Sequence, residues 1–115
     1  MTTTLYGIAN CDTIKKTKKL LEANGIEFNF YDFKKEAPTQ AQVKRWLQVF
    51  GAEKVLNKRG TTWRKLDKKA QTQAESTQTQ LIKLLIENSS MIKRPIIESN
   101  KHAIIGFDQE AINNL

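Results

Sequence analysis

The sequence predicts an α/β fold in which a βαβ unit and a ββα unit share one four-stranded mixed sheet. An apolar run at residues 4–9 is followed at once by a helical pattern and then by an aromatic, alternating run at residues 26–33. Near the carboxyl end, two short apolar runs precede a further helical pattern. The stretch between these two ends is dominated by helical periodicity, so we expect a helical insertion there.

The amino-terminal βαβ unit is indicated by a change of period. Residues 4–9 (TLYGIA) are short and apolar, as expected for a buried strand. From Asp12 the apolar residues recur at helical spacing, and Gly25 supplies a carboxyl cap. Residues 26–33 (IEFNFYDF) alternate like a second strand. Because the helix between them is long enough for a right-handed crossover, the two strands are expected to be parallel.

The helical insertion is expected at about residues 39–75, inside a single domain of residues 1–115. Thr39 and Gln42 fit a capping box, and the helix that they open should end at Gly51. Shorter helical pieces are expected at residues 53–57 and 63–66. Residues 67–80 are polar and without apolar anchors, so we expect surface there, before a helix at residues 77–88. The first helix has an apolar stripe formed by Val43, Trp46, Leu47 and Phe50.

The carboxyl end predicts a hairpin and a last helix. Apolar residues 96–97 and 103–105 flank a polar turn at residues 99–101, which is typical of a β-hairpin. Asp108 can cap a helix at residues 109–114. The order βαβ, helices, ββα is that of the thioredoxin architecture.

The composition limits the kinds of function that we expect. The chain has 115 residues, and no apolar run approaches the roughly 20 residues that span a bilayer. The amino terminus lacks the pattern of a signal peptide, so we expect a cytoplasmic, monomeric protein without a membrane partner. The chain has one cysteine and one histidine, so we expect no internal disulfide and no metal.

Positive charge is concentrated in two clusters, and the net charge is +7. Residues 54–69 hold seven Lys and Arg side chains against Asp67 alone, a local charge of +6. A second cluster at residues 15–19 holds four lysines. Such a basic surface can bind an acidic protein partner or a small anion, although most exposed lysines are simply solvated. Without a recognised motif, nucleic acid is not an expected partner.

The single cysteine, Cys11, lies where the first strand passes into the first helix. Backbone N–H groups at a helix start lack intrahelical partners, and with the helix dipole they stabilise a thiolate, the nucleophilic form. Lys15, one turn further, adds positive charge, whereas Asp12 opposes it. The alternative is that Cys11 is a small buried hydrophobe. A functional thiol is favoured because α/β folds bind ligands at the carboxyl ends of parallel strands.

The chain has no second thiol to resolve a disulfide at Cys11. In thioredoxins a Cys-x-x-Cys motif supplies one, but here that position is Ile14. The resolving thiol must therefore come from outside, such as glutathione or a partner protein.

Four segments in order resemble a known family: LYGIANCDTIKKTKKLLEANGIEF, VLNKRGTTWRKL, MIKRPII and IIGF. They are similar to the ArsC-like branch of the thioredoxin superfamily. That branch contains glutaredoxin-coupled arsenate reductases, Spx-type RNA polymerase regulators and small uncharacterised reductases. The combination of NCDTIKKTKKLL with NKRGTTWRKL looks most like the last group.

The resemblance implies roles for individual residues. Cys11 matches the nucleophilic cysteine, and Arg94 matches an arginine that binds the oxyanion and helps to hold the thiolate. Pro95 matches the cis-proline that faces the cysteine, and we expect Thr13 to shape the site with it. Lys15 is expected to assist in binding the substrate.

Three further positions concern the other cationic groups of arsenate reductases. The arginine of the middle motif falls at Asn57 or Arg59, of which we choose Arg59. The third arginine would fall at Gly106, and an upstream histidine at Gly7. Each lost charge-assisted hydrogen bond is worth about 1.5–3 kcal/mol, so arsenate reduction is not expected.

The sequence therefore favours a glutathione-dependent thiol or disulfide reductase. Glutathione would be the co-substrate and glutaredoxin an alternative reductant. The alternative is a Spx-like regulator that binds RNA polymerase or another partner without turnover, although Spx proteins carry the Cys-x-x-Cys switch that this chain lacks.

Overall fold

The computed structural model describes residues 2–100 and 102–115. The chain divides into two compact units: Met1–Glu36 with Arg94–Leu115, here the sheet unit, and Ala37–Lys93, here the helical unit. In chain order the elements are β1 (Thr3–Gly7), α1 (Asp12–Ala23), β2 (Phe28–Asp32), α2 (Gln40–Phe50), α3 (Ala52–Val55), α4 (Thr61–Lys65), α5 (Lys68–Ser76), α6 (Gln78–Glu87), a 3₁₀ helix (Ser89–Met91), β3 (Ile96–Glu98), β4 (Ala103–Ile105) and α7 (Gln109–Asn113). The expectation of a single domain stays a prediction.

The sheet unit holds one four-stranded mixed sheet in the order β2-β1-β3-β4. β1 and β2 are parallel, with Gly7 opposite Asp32, which confirms the predicted crossover. β3 runs antiparallel to both β1 and β4. The fold is therefore the predicted thioredoxin-like α/β fold with a helical insertion. Both amino-terminal strands are shorter than the apolar runs that predicted them.

Helices α1 and α7 contribute to the hydrophobic core of the sheet unit. On α1 the buried residues recur at helical spacing, as predicted, but Asn24 is exposed at the carboxyl cap. Gly25 follows with a φ of 70°, a conformation that favours glycine. The side chain of Asp108 accepts the N–H of Ala111 and caps α7, as predicted. The core comprises Leu5, Ile14, Leu21, Ile97, Ile104 and Ile112.

The helical unit begins with the predicted capping box. The hydroxyl of Thr39 accepts the N–H of Gln42, whose side chain accepts the N–H of Thr39. Trp46 is completely buried, and α2 ends at Gly51 with a φ of 88°. α6 buries three of its apolar residues, close to the predicted bounds.

Residues 67–80 lie mostly at the surface, as predicted, but the segment also contains the helix α5, which the sequence analysis did not predict. The carboxylate of Asp67 accepts the N–H of Ala70 and opens the helix, and Ala74 is buried. A single alanine is a small apolar anchor, so the segment lacked the stripe that signals a helix. Trp63 on α4 is buried within the helical unit.

Across residues 2–100 and 102–115, no helix is both long and apolar enough to cross a membrane.

Candidate active site

Cys11 occupies the N-cap position of α1. Its backbone is extended, with φ −143° and ψ 125°, and its carbonyl oxygen accepts the N–H of Lys15 at 3.0 Å. Its side chain forms no capping hydrogen bond with the described residues. An α-helix leaves the N–H groups of its first turn without intrahelical acceptors, so Cys11 lies beside such groups.

The Cys11 side chain is half-buried, and the thiol is free. It packs at the edge of the core of the sheet unit. The sequence analysis offered a functional thiol or a small buried hydrophobe at this position. The side chain shares features of both, because it contacts apolar neighbours and also reaches solvent. A half-buried thiol at a helix start can attack a substrate that approaches from solvent.

The position of Cys11 is set by close contact between α1 and β1. A Cβ atom at Gly7 would overlap the side chain of Ile14, which is completely buried. The missing side chain at Gly7 thus lets the first turn of α1 lie directly on the end of β1. Ile14, at the place of a resolving cysteine, is a packing residue.

Arg94 and Pro95 lie directly before β3, and the peptide bond between them is cis. Tyr6 pairs with Ile96, so the next step of the register brings Pro95 beside Gly7, at the end of β1 that leads to Cys11. Pro95 is buried, and its carbonyl oxygen accepts the N–H of Gly106 at 2.8 Å.

The guanidinium of Arg94 has an unused donor. The side chain is half-buried, and its Nη1 atom is buried without a hydrogen-bond partner among the residues that the structure describes. An unsatisfied buried donor costs about 1–3 kcal/mol, more when it is charged. A ligand oxyanion would satisfy it, since guanidinium groups suit carboxylates and phosphates.

Lys15 and Thr13 lie on the first turns of α1. Lys15 is exposed, and its side chain is one turn from Cys11. Thr13 is half-buried, and its carbonyl oxygen accepts the hydroxyl of Thr17 at 2.7 Å. Thr17 is itself completely buried, so this bond satisfies its hydroxyl group. The expected roles of Lys15 and Thr13 stay predictions.

Arg59 belongs to the helical unit, so its place relative to Cys11 is not assigned. Its side chain is exposed, and its N–H donates to Oδ1 of Asn57 at 3.1 Å. Asn57 is tied to the backbone through this bond and through its own N–H, which donates to the carbonyl of Met91. The choice of Arg59 over Asn57 as the matching residue stays a prediction.

Sequence reasoning did not find a cleft of about 420 Å³ in the sheet unit, here called the charged cleft. It is assembled from the residue before the Cys11 loop, α1, β2 and the turn after β2, which are distant in sequence. No local motif in the sequence marks this cleft. Its lining residues are Ala9, Lys18, Phe30, Tyr31, Asp32, Lys35 and Glu36.

Comparison with protein families identifies the family to which this chain belongs. The model of the ArsC family matches residues 6–115, which is nearly the whole chain. The chain belongs to the ArsC family. The family includes arsenate reductases, and the resemblance inferred from the four sequence segments is confirmed.

Proteins similar to this chain include an uncharacterised protein and a regulatory protein. An uncharacterised protein of Haemophilus influenzae is 38% identical, over 93% of this chain and 92% of its own length. The regulatory protein MgsR of Bacillus subtilis is 33% identical, over 91% of this chain and 82% of its own length. The solved structure of the YffB protein is 36% identical, with a TM-score of 0.87 over 95% of this chain and 94% of that one.

Two glycines of this ArsC family member stand where the resemblance implies basic residues in arsenate reductases. Gly106 has a φ of 79°, a conformation that disfavours a side chain such as arginine. Gly7 has no room for a side chain because of Ile14. Gly106 therefore favours glycine through its backbone conformation, and Gly7 favours it through the close side chain of Ile14.

Proposed function

We propose that the chain is a glutathione-dependent thiol–disulfide reductase with Cys11 as its nucleophile. The observation that carries the proposal is the free, half-buried thiol at the N-cap of α1. Membership of the ArsC family supports a redox role for that thiol. We expect the protein to act in the cytoplasm, where glutathione keeps thiols reduced.

The reaction begins when the Cys11 thiolate attacks one sulfur of a substrate disulfide. A bond forms between Cys11 and that half of the substrate, the substrate S–S bond breaks, and the other half leaves as a thiolate that takes a proton from water. A glutathione thiolate then attacks the Cys11 sulfur and releases the second substrate thiol. A second glutathione attacks the glutathione sulfur, so Cys11 leaves as thiolate and oxidised glutathione forms. Glutaredoxin can replace this second glutathione.

Other residues support these steps through charge and shape. The free donor of Arg94 suits a carboxylate of the substrate or of glutathione, and Lys15 adds positive charge one turn from the sulfur. Arg59 would assist from the helical unit. Pro95 and Thr13 would shape the walls beside Cys11.

The test is turnover of a small disulfide with reduced glutathione. Formation of oxidised glutathione should be faster with the wild-type protein than without protein, and Cys11→Ser should abolish the difference. Lys19→Gln, an exposed lysine of α1, is the matched control and should retain the rate. Equal rates for wild type and Cys11→Ser would contradict the proposal.

A regulator without turnover is the second candidate, because MgsR is a regulatory protein. The basic window at residues 54–69 supports it, since all seven of its Lys and Arg residues are exposed. Under this candidate, purified RNA polymerase binds wild type and Cys11→Ser equally, and neither protein consumes glutathione. Catalysed glutathione oxidation would contradict it.

A further inference from the structure

The charged cleft carries groups of both signs at one end of the sheet. β2 runs parallel to β1, so its carboxyl end and the turn that follows lie at the same edge as the Cys11 loop. Asp32 ends β2, and the N–H groups of Lys35 and Glu36 both donate to its carbonyl oxygen at 3.0 Å. This turn fixes the backbone from which the cleft's carboxylates and one of its lysines project.

The charged groups of the cleft are poorly compensated by the protein. Nζ of Lys18 lies 3.8 Å from the centroid of the Phe30 ring, which holds the ammonium in place without neutralising its charge. Oδ1 of Asp32 accepts the N–H of Lys34 at 2.9 Å, and its second oxygen accepts no hydrogen bond from the residues that the structure describes. Within the described ranges, Lys18, Asp32, Lys35 and Glu36 form no ion pair with one another.

The balance of charge selects a class of ligand. Two ammonium groups and two carboxylates sum to zero, so the cleft offers nothing to a simple dianion such as phosphate. A group with an ammonium and a carboxylate attached to the same carbon atom satisfies both signs at once. The α-amino-acid end of a small molecule has this arrangement.

The distance between Cys11 and the charged cleft is similar to the length of a short peptide. Residues 11 and 18 are two turns apart on one side of α1, a rise of about 10.5 Å at 1.5 Å per residue. Ala9, two residues before Cys11, also lines the cleft, so the cleft extends towards the thiol. In glutathione the thiol is on the central residue, and seven bonds join its sulfur to the α-carbon of the γ-glutamyl residue, a reach of about 9 Å when extended. A thiol of this length can present its sulfur to Cys11 while its far end occupies the cleft.

We propose that the charged cleft binds the zwitterionic α-amino-acid end of the thiol co-substrate, which in glutathione is the γ-glutamyl group. Lys18 and Lys35 bind the α-carboxylate, and Asp32 with Glu36 binds the α-ammonium. This inference rests on the proposed function for the identity of the thiol, but the binding itself needs no chemistry at Cys11.

The experiment uses S-methylglutathione, which cannot exchange disulfides, and measures its affinity by NMR titration. The wild-type protein should bind it with shifts centred on residues 18, 30–32 and 35–36. Lys18→Gln and Asp32→Asn should each weaken binding about tenfold. The matched controls Lys19→Gln and Glu27→Gln change exposed residues outside the cleft lining and should bind like wild type.

A second ligand tests whether the cleft recognises the ammonium group itself or only attracts the carboxylates of the ligand. The analogue of S-methylglutathione in which the γ-glutamyl α-amino group is replaced by hydrogen should bind the wild type about tenfold more weakly. The affinities of Asp32→Asn for the two ligands should differ less than those of the wild type, because one of the two carboxylates that bind the ammonium is gone. Equal affinity of the wild type for both ligands, or affinities unchanged by Lys18→Gln and Asp32→Asn, would overturn the inference.

The two proposals fail in different ways. If S-methylglutathione binds as described while Cys11 forms no adduct with oxidised glutathione, the cleft assignment stands and the reductase proposal falls. If Cys11 turns over glutathione while the cleft variants match the wild type in affinity, the cleft assignment falls alone.

Discussion

The side chain of Ile14 fills the space that a Cβ atom on Gly7 would need. This contact joins the end of β1 to the first turn of α1 and so holds the backbone that carries Cys11. Since Gly7 is on β1 and Ile14 is on α1, substitutions at the two positions can test how this contact supports the site.

Gly7→Ala should lower the free energy of unfolding by about 1–3 kcal/mol, as overpacking of a tight core does. The measurement is urea denaturation of the variant and the wild type. Ile14→Val removes the Cδ1 methyl group that crowds this position, so the double variant should lose less stability than the sum of the single variants. Strictly additive losses would show that the two side chains do not compete for the same space.

The stability lost on replacing Gly106 should be smaller for a residue that adopts a positive φ more easily. With φ at 79°, Gly106→Val should cost more stability than Gly106→Asn, and both should be less stable than wild type, by roughly 1–3 kcal/mol. Thermal unfolding of the three proteins measures this order. Equal stability of the Val variant and the wild type would contradict the backbone conformation described here.

The hydroxyl of Tyr6 donates to Oε1 of Glu98 at 2.7 Å and links β1 to β3. Tyr6 is buried, so Tyr6→Phe should lower the free energy of unfolding by about 1.5–3 kcal/mol, the range for a hydrogen bond to a charged group. Glu98→Gln keeps an acceptor oxygen and should lose less. Chemical denaturation of both variants makes the comparison, and a larger loss for Glu98→Gln would contradict it.

Arg94→Ala should separate stability from activity. It removes a buried donor that lacks a partner among the described residues, so the free energy of unfolding should stay constant or rise. In contrast, kcat/KM with glutathione should fall about 10- to 100-fold, equivalent to roughly 1.4–2.8 kcal/mol of transition-state stabilisation. Arg94→Lys keeps the positive charge but lacks the planar guanidinium group, so its kcat/KM should lie between those of the wild type and Arg94→Ala. Lost stability with unchanged kcat/KM would assign Arg94 a structural role instead.

Local signals in the sequence were enough to predict most of the fold. The capping box of Thr39 and Gln42, the cap at Asp108 and the left-handed Gly25 act within a few residues of the helix ends that they define. The helix α5 escaped prediction because Ala74 is too small to produce a hydrophobic stripe.

The candidate site was only partly predictable, because its parts meet through the sheet. Cys11 could be singled out from its place between a strand and a helix. Arg94 and Pro95 were found through family resemblance, since nothing in their own segment reveals that β3 pairs with β1. The charged cleft depends on β2 lying beside α1, and no spacing in the sequence encodes the meeting of Lys18 with Phe30.

The most direct measurement is intact mass spectrometry of the wild-type protein and Cys11→Ser after incubation with oxidised glutathione, followed by reduced glutathione. A nucleophilic Cys11 gives one glutathione adduct per wild-type chain, which reduced glutathione removes, and gives none on Cys11→Ser. A wild-type chain that stays unmodified, or an adduct that reduced glutathione cannot release, would contradict a glutathione-dependent reductase.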